Sequence, residues 1–391
     1  MSEAIAHDAP LAALLADLPI VDEHCHAPLR PPAPADLDAF LALFTESREA
    51  EIVRTHVPHT LYFQRALQDL AALYGCAPEP AAVLARRQAL SPAALLQQCT
   101  TRARLVALLV DTGYRDEESY TVDELNGLLP AGCRAWPLLR LERLLERLIA
   151  QSASFAALEE AFMATLADLR RQGYVALKSI RAYRCGLALD PPDRQAAAEV
   201  FPALRAVAQA GALRLTAKPL LDYFFWQACA AAAQQGLPLQ LHTGFGDADL
   251  DLRQANPLLL RPALEAGAFR GVPVVLLHCY PYLREAGYLA SLYSGVYLDL
   301  SLTVPLLGPA CRRAVAEALE LAPASKVLYG SDAAGLAESF WLGASAIRRA
   351  LGATLEGWVA EGTLTPTQAE RIARQILSEN AVRLYGLPPA G

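Results

Sequence analysis

The chain of 391 residues reads as an α/β protein, a (β/α)8 TIM barrel with a helical insertion after strand one. Three observations lead there. Short apolar, β-like runs alternate with helical segments, and that alternation implies a parallel sheet. Eight such runs can be placed. Four of them end in a residue type that ligates metals: Ile20-Val21-Asp22-Glu23-His24-Cys25-His26, Leu239-Gln240-Leu241-His242, Val274-Val275-Leu276-Leu277-His278, and Lys326-Val327-Leu328-Tyr329-Gly330-Ser331-Asp332. The C-terminal tips of strands are where a barrel of this kind carries its active site.

Taken in order, a short amphipathic helix over residues 9–18 precedes strand one at roughly 19–24. Pro28, Pro31, Pro32 and Pro34 then break the chain. From about 36 to 100 the apolar residues recur at helical spacing, as in Leu37, Phe40, Leu41 and Phe44. This stretch, about 35–100, is an insertion after strand one, and a βα connection emerges on the catalytic face, so it is expected to cover the site as a lid. His56 and His59 would line it. Strand two is Arg104–Asp111, stopped by Thr112-Gly113, and strand three Cys133–Arg140, weakened by Pro137. Helices follow at about 141–150 and 154–172, the second ended by Gly173. Strand four is Tyr174–Ile180. Helices at about 193–210 and 220–235 lead to strand five at 237–242. Strands six, seven and eight are 272–278, Val296–Leu300 and 326–331, with closing helices at about 337–351, 354–361 and 366–378. Pro388-Pro389 marks the end. The whole chain, 1–391, is expected to be one barrel domain.

Hydrophobic residues make up 54% and charged residues 19%, enough for a large buried core. The apolar tracts are interrupted well before the ~18 residues a membrane span needs. Lys and Arg number 34 against 41 acidic residues, a formal charge of −7. With no basic block, nucleic acid is excluded as a partner. Glu3, Asp8 and Asp17 make the N-terminus unlike a signal peptide. The eight cysteines form no Cys-x-x-Cys pair and read as reduced thiols of a cytoplasmic protein. A small-molecule substrate is the expected partner, with self-association into a homo-oligomer a base-rate expectation.

Residues i and i+2 of a strand share a face, so His24 and His26 can converge on one point. With His242, His278 and Asp332 they offer imidazole nitrogens and a carboxylate. That donor set suits a divalent metal, zinc first, with manganese or iron as alternatives. Lys178 closes strand four; it is either carbamylated and metal-bridging or a plain lysine that orients substrate. Arg140, Arg181 and Arg184 fall at or just past strand tips, where forked carboxylate recognition is needed. Gly244 and Gly246 would let backbone approach a ligand closely. Asp249, Asp251 and Arg253 read as a solvated loop, and Cys25 as core.

The set of His-x-His after strand one, His on five, His on six and Asp on eight resembles the amidohydrolase superfamily of metal-dependent barrels. Lys178–Leu187, His242–Asp247, His278-Cys279-Tyr280-Pro281, Val327–Asp332 and the terminal Asn380-Ala381-x-x-Leu384-Tyr385-Gly386 resemble its amidohydrolase-2 branch. They are similar to the amidohydrolase domain of FluG-type and nodulin–glutamine synthetase fusion proteins, without the glutamine synthetase half. The resemblance implies that His24, His26, His242 and Asp332 hold a metal, and that His278 ligates a second metal or polarises the substrate. It also implies that Asp332 takes the proton from the attacking water. Asp332, His278, Lys178 and Arg184 are the catalytic candidates; Arg140, Arg181 and Gly244 are the substrate contacts. The implied activity is hydrolysis of a C–N bond in a small carboxylate-bearing amide, with a γ-glutamyl amide suggested by the FluG-type likeness. A single-metal non-oxidative decarboxylase is the alternative, and a non-catalytic metal-binding barrel the third reading, because fold alone does not fix a reaction.

Overall fold

Eight short, mostly buried strands assemble into one parallel sheet in sequence order: β1 Ile20–Cys25, β2 Leu105–Asp111, β3 Arg134–Arg140, β4 Ala176–Ser179, β5 Leu239–His242, β6 Val274–Leu277, β7 Val296–Asp299 and β8 Val327–Leu328. The structure is a computed structural model that describes residues 11–30, 36–115, 117–211 and 213–389. Glu3, Asp8 and the breaks at Pro31, Pro32 and Pro34 lie outside the described residues. Neighbouring strands pair from β1 through β8. The last seam is made by single backbone bonds. Glu23 N–H donates to the Tyr329 carbonyl at 3.1 Å, Asp332 N–H to His24 at 2.9 Å, and His26 N–H to Ala333 at 2.8 Å. The sheet thereby closes on itself, and the (β/α)8 barrel expected from the sequence is what the chain forms.

The interior and exterior of the barrel are separate apolar layers. Val21, Leu109, Leu138, Val275, Leu277 and Leu328 fill the inside with Ala381, Tyr385 and Leu387 from the C-terminal helix Asn380–Tyr385 and the residues after it. A larger cluster packs the outer strand faces, among them Leu108, Val110, Leu241, Leu276 and Leu298, against the surrounding helices. Pro137 sits within β3 opposite Val110; it removes one donor, and its carbonyl still accepts from Val175 at 3.2 Å.

Several boundaries differ from expectation for identifiable reasons. The helix expected over 154–172 ends at Leu166, followed by turns. Strand eight is limited to two residues because its continuation leaves the ladder to bond across the seam. The closing helices expected at 337–351 and 354–361 are one, Glu338–Ala360. Gly352, which reads as a break, stays helical, and a Cβ there would meet Leu15 Cδ1 at 3.0 Å. The glycine therefore serves close packing on the first helix, Leu11–Asp17.

The insertion holds helices Leu37–Leu41, Leu61–Tyr74 and Pro80–Gln88. Its own small core, with Phe40, Phe44, Phe63 and Leu70, includes Leu336 and Leu342 from beyond β8. Helix Pro92–Ala103 packs on Glu338–Ala360. Arg348 in that long helix donates to the carbonyls of Leu15 (2.7 Å), Ala103 (2.9 Å) and Leu18 (2.6 Å). One guanidinium thus ties the first helix, the approach to β1 and the start of β2. Arg348→Ala leaves three carbonyls without that donor. Charge-assisted bonds of this kind are worth about 1.5–3 kcal/mol, so a loss of about 2 kcal/mol or more is expected in urea unfolding, with the slope of the transition unchanged.

Candidate metal centre

The seam between β8 and β1 builds the centre. The bond from Asp332 N–H to the His24 carbonyl sets the Asp332 side chain beside both histidines. Asp332 Oδ1 lies 3.1 Å from His24 Nε2 and 3.2 Å from His26 Nε2, and the donor atoms of these three residues all fall within 4.8 Å of one another. The backbone of Asp332 is left-handed, with φ +52°. A non-glycine residue held there carries strain that its surroundings must impose. His278 is held likewise at φ +66°. Its N–H donates to Asp299 Oδ1 at 2.6 Å, and its carbonyl accepts from Thr303 Oγ1 at 2.6 Å. Clamped at both ends, its imidazole places Nδ1 2.8 Å from Ser301 Oγ and 3.9 Å from Asp332 Oδ2.

The hydrogen-bond network fixes the tautomer of His24. Gln240 Nε2 lies 2.7 Å from the Glu23 carbonyl oxygen, which only accepts. The amide nitrogen must face that way, so Oε1 faces His24 Nδ1 at 2.8 Å. Nδ1 therefore carries the proton, and Nε2 presents a lone pair. That lone pair and the Asp332 carboxylate are two acceptors facing one another with no proton of their own between them. Asp332 Oδ1 is buried without a hydrogen-bond donor, as is His26 Nδ1 without a partner. Two imidazole nitrogens and an orphaned carboxylate oxygen at this spacing fit a divalent cation. Lys178, 1% exposed, brings Nζ to 3.1 Å from His24 Nε2.

Burial dominates the electrostatics. It lowers His24 to about 4 and His278 to about 3, and holds His242 well below the usual histidine range. It pulls the Lys178 ammonium down to about 8 against the attraction of Asp111 and Asp332. Burial opposes ionisation of Asp332, yet His278, His24 and His26 together hold its carboxyl well below the ordinary carboxylate range. Burial thus favours neutral imidazoles at His24 and His278 beside an ionised Asp332 carboxylate.

The other expected residues lie around this group. His242 is adjacent but outside the three-residue group: its Nε2 lies 3.1 Å from the Phe245 carbonyl, and its ring packs against His278 and Tyr183 at 4.4 and 4.5 Å. Arg140 forks onto Asp111, with Nε and Nη2 at 3.0 and 2.5 Å, and the charge of Asp332 acts on it. Arg184 pairs with Glu146 at 3.3 Å. Arg181 is not brought to the centre. It is buried against Asp222 at 2.6 Å and donates to the Gly186 and Ala188 carbonyls, which makes it an anchor of the loop after β4. Gly244, at φ +69°, leaves no room for a side chain: a Cβ there would meet the Tyr280 carbonyl oxygen at 2.4 Å. Its freedom serves the approach of two loops. His56 and His59 are exposed. The part of the insertion that meets the site is Glu46–Arg48, where Arg48 pairs with Asp247 at 3.2 Å. Burial, with Asp247 beside it, raises Glu46 to about 9. Asp251 and Arg253 form an exposed ion pair, and Cys25 is buried, as expected.

Gln240, Glu23, Asp299 and Ser301 were not singled out from the sequence. The available signal was a polar residue inside an apolar strand, as in Leu239-Gln240-Leu241 and Val296-Tyr297-Leu298-Asp299.

The fold and this geometry have counterparts among known proteins. A protein of Lactobacillus casei ATCC 334 assigned as a metal-dependent hydrolase superposes with a TM-score of 0.86 at 31% identity, over 96% of this chain and 97% of that one. Uronate isomerase from Thermotoga maritima shares the fold, with a TM-score of 0.69 at 15% identity over 96% and 97% of the two chains. Residues 137–387 match the Amidohydrolase family (Amidohydro_2), and the chain belongs to it. Protein fluG of Emericella nidulans (strain FGSC A4) is 29% identical over 407 aligned positions, which take in 95% of this chain and 46% of fluG. The chain thus spans about half the length of that relative.

The buried histidines give a pH prediction. Unfolded, His278 takes up its proton near 6.5; folded, it stays neutral until about 3. The unfolded state binds more protons between these values, so this group's stability contribution is full above pH 6.5 and falls as the pH drops. Asp22 and Glu46, raised to about 7 and about 9, act in the opposite sense over the same window. The histidine is therefore read as a difference. Relative to wild type, metal-free His278→Gln should gain about 1.4 kcal/mol per pH unit between pH 6 and 4, measured by urea unfolding.

Proposed function

We propose that the protein is a metal-dependent hydrolase of C–N bonds, acting in the cytoplasm on a small amide that carries a carboxylate, a γ-glutamyl amide being the first candidate. One observation carries this reading: the Asp332 carboxylate oxygen and the His24 Nε2 lone pair face each other at 3.1 Å, with His26 Nε2 at 3.2 Å, in a geometry that calls for a cation. Membership of the Amidohydrolase family supports a hydrolase, and the γ-glutamyl suggestion follows from the FluG-type resemblance of the sequence alone. All eight cysteines are free, in keeping with a reducing compartment. Among the described residues, no helix is long and apolar enough to cross a membrane.

His24, His26 and Asp332 would hold the metal. When bound, a divalent ion supplies a Lewis acid that polarises a carbonyl and acidifies water. The chain's own groups do the rest. Asp332 stays ionised and takes the proton of the attacking water at its carboxylate, then returns it to the leaving nitrogen. His278, neutral and clamped, faces the reacting carbonyl as a fixed polar group rather than a mobile acid. Lys178 and Arg140 form a positive wall beside Asp332 that suits a substrate carboxylate.

Protein purified without added metal or chelator is expected to carry about one equivalent of zinc, manganese or iron per chain, and a His24→Ala/His26→Ala variant none. Against a panel of γ-glutamyl and other carboxylate-bearing amides, wild type should release ammonia or amine. Asp332→Asn should lose at least a hundredfold in turnover, the usual weight of a general base. A near-normal rate in that variant, or carbon dioxide release without amine, would overturn the assignment.

A further inference from the structure

The terminal motif Asn380-Ala381-x-x-Leu384-Tyr385-Gly386 has no part in the mechanism above, yet its side chains run to the centre. Asn380 Nδ2 donates to the carbonyls of Ala324 and Val327, at 2.7 and 2.9 Å, which docks the helix on the root of β8. Ala381 and Tyr385 enter the apolar interior of the barrel, where Tyr385 is completely buried. The Tyr385 hydroxyl donates to Glu23 Oε2 and lies 2.8 Å from Gln240 Nε2. Gln240 Nε2 also reaches Glu23 Oε2 at 2.8 Å and the Glu23 carbonyl at 2.7 Å. Three oxygens therefore surround the amide nitrogen of Gln240, and its Oε1 is left pointing at His24 Nδ1, 2.8 Å away. A slip in the pairing of β1 with β2 between Asp22 and Cys25 accompanies this arrangement, in which the consecutive residues Glu23 and His24 both meet Gln240.

We propose that the C-terminal helix sets the tautomer of His24, and through it the affinity of the centre for its metal, by a relay from Tyr385 through Gln240. Gln240 and Tyr385 are positioning residues. The amide has two orientations of similar shape, and only one offers His24 an acceptor. Glu23 and the Tyr385 hydroxyl select that one. With Nδ1 protonated and bonded to Gln240, Nε2 is the nitrogen that would ligate a metal, and the bond fixes the ring's orientation. With the amide released, the ring is free to carry its proton on Nε2, the atom the metal needs. Partners of this kind, one bond behind a ligand, change metal affinity by about 10–100-fold.

The inference rests on the metal reading above, so its test has two readouts. Long-range nitrogen–proton NMR spectra of the metal-free protein report the His24 tautomer directly, whether or not a metal ever binds. Competition with a chromophoric chelator reports the zinc Kd. Wild type is expected to show His24 protonated on Nδ1. Gln240→Leu should show a mixed or Nε2-protonated ring and a Kd weaker by about 10–100-fold. Tyr385→Phe keeps the ring in the barrel floor and removes only the hydroxyl; it should shift both readouts in the same direction, towards the lower end of that range. If Gln240→Leu does not fold, Tyr385→Phe alone decides. An unchanged tautomer with a Kd within twofold of wild type, in the folded variants, overturns the relay. A wild-type protein that has the expected tautomer but takes up no zinc, manganese or iron overturns the metal reading instead.

Discussion

The seam between the last strand and the first is the constraint on which the rest depends. Seven strand pairs are parallel ladders, regular except for the register slips between β1 and β2. The eighth is three backbone bonds, one of which runs from Asp332 to His24 and another from Ala333 to His26. The same bonds that close the barrel bring together a carboxylate and two imidazoles from opposite ends of the chain. Closure and site assembly are therefore a single event. The left-handed backbone of Asp332 is held in place by the burial and bonding on either side of it, notably Ser331, whose N–H and hydroxyl both donate to Asp22 at 2.8 and 2.5 Å.

Below the donor atoms the barrel interior is unusually polar for a packed core. Glu23 and Asp299 are both buried, and burial raises both; the charge of Asp299 raises Glu23 further, and that of Asp332 raises Asp299. Gln240 and Tyr385 complete the group. Such an arrangement is stable only when its members satisfy one another, and its cost is accepted where it fixes chemistry above it. Here Asp299 holds the His278 backbone and Gln240 holds the His24 ring, so each buried polar residue acts on one imidazole.

Much of this was legible from the chain. Apolar runs ending in His or Asp gave the strands and their tips, because a parallel strand buried on both faces must be apolar along its length and can change character only at its end. The three donor residues followed from that pattern. What could not be read was pairing over long distances. Arg181 looks like Arg140 in sequence, standing just past a strand tip, but Asp222, forty-one residues on, takes it into the structure. Gly244 looks like a ligand cradle and is a loop crossing. Gly352 looks like a helix end and is a packing contact. Gln240 interrupts an apolar strand, and only the arrival of Tyr385 shows why. In each case the residue type was informative and its partner was not.

The insertion is rooted on both sides of its departure point. Leu29 N–H donates to Gly335, Pro28 bridges to Gly335, and Leu29 bridges to Ser119. Its apolar core includes Leu336 and Leu342 from the barrel. Among the described residues, the insertion is therefore tied to the barrel both where it departs and where its core packs. Because Leu336 and Leu342 belong to that core, loosening the insertion costs the barrel part of its own packing, so the two are coupled in stability rather than independent.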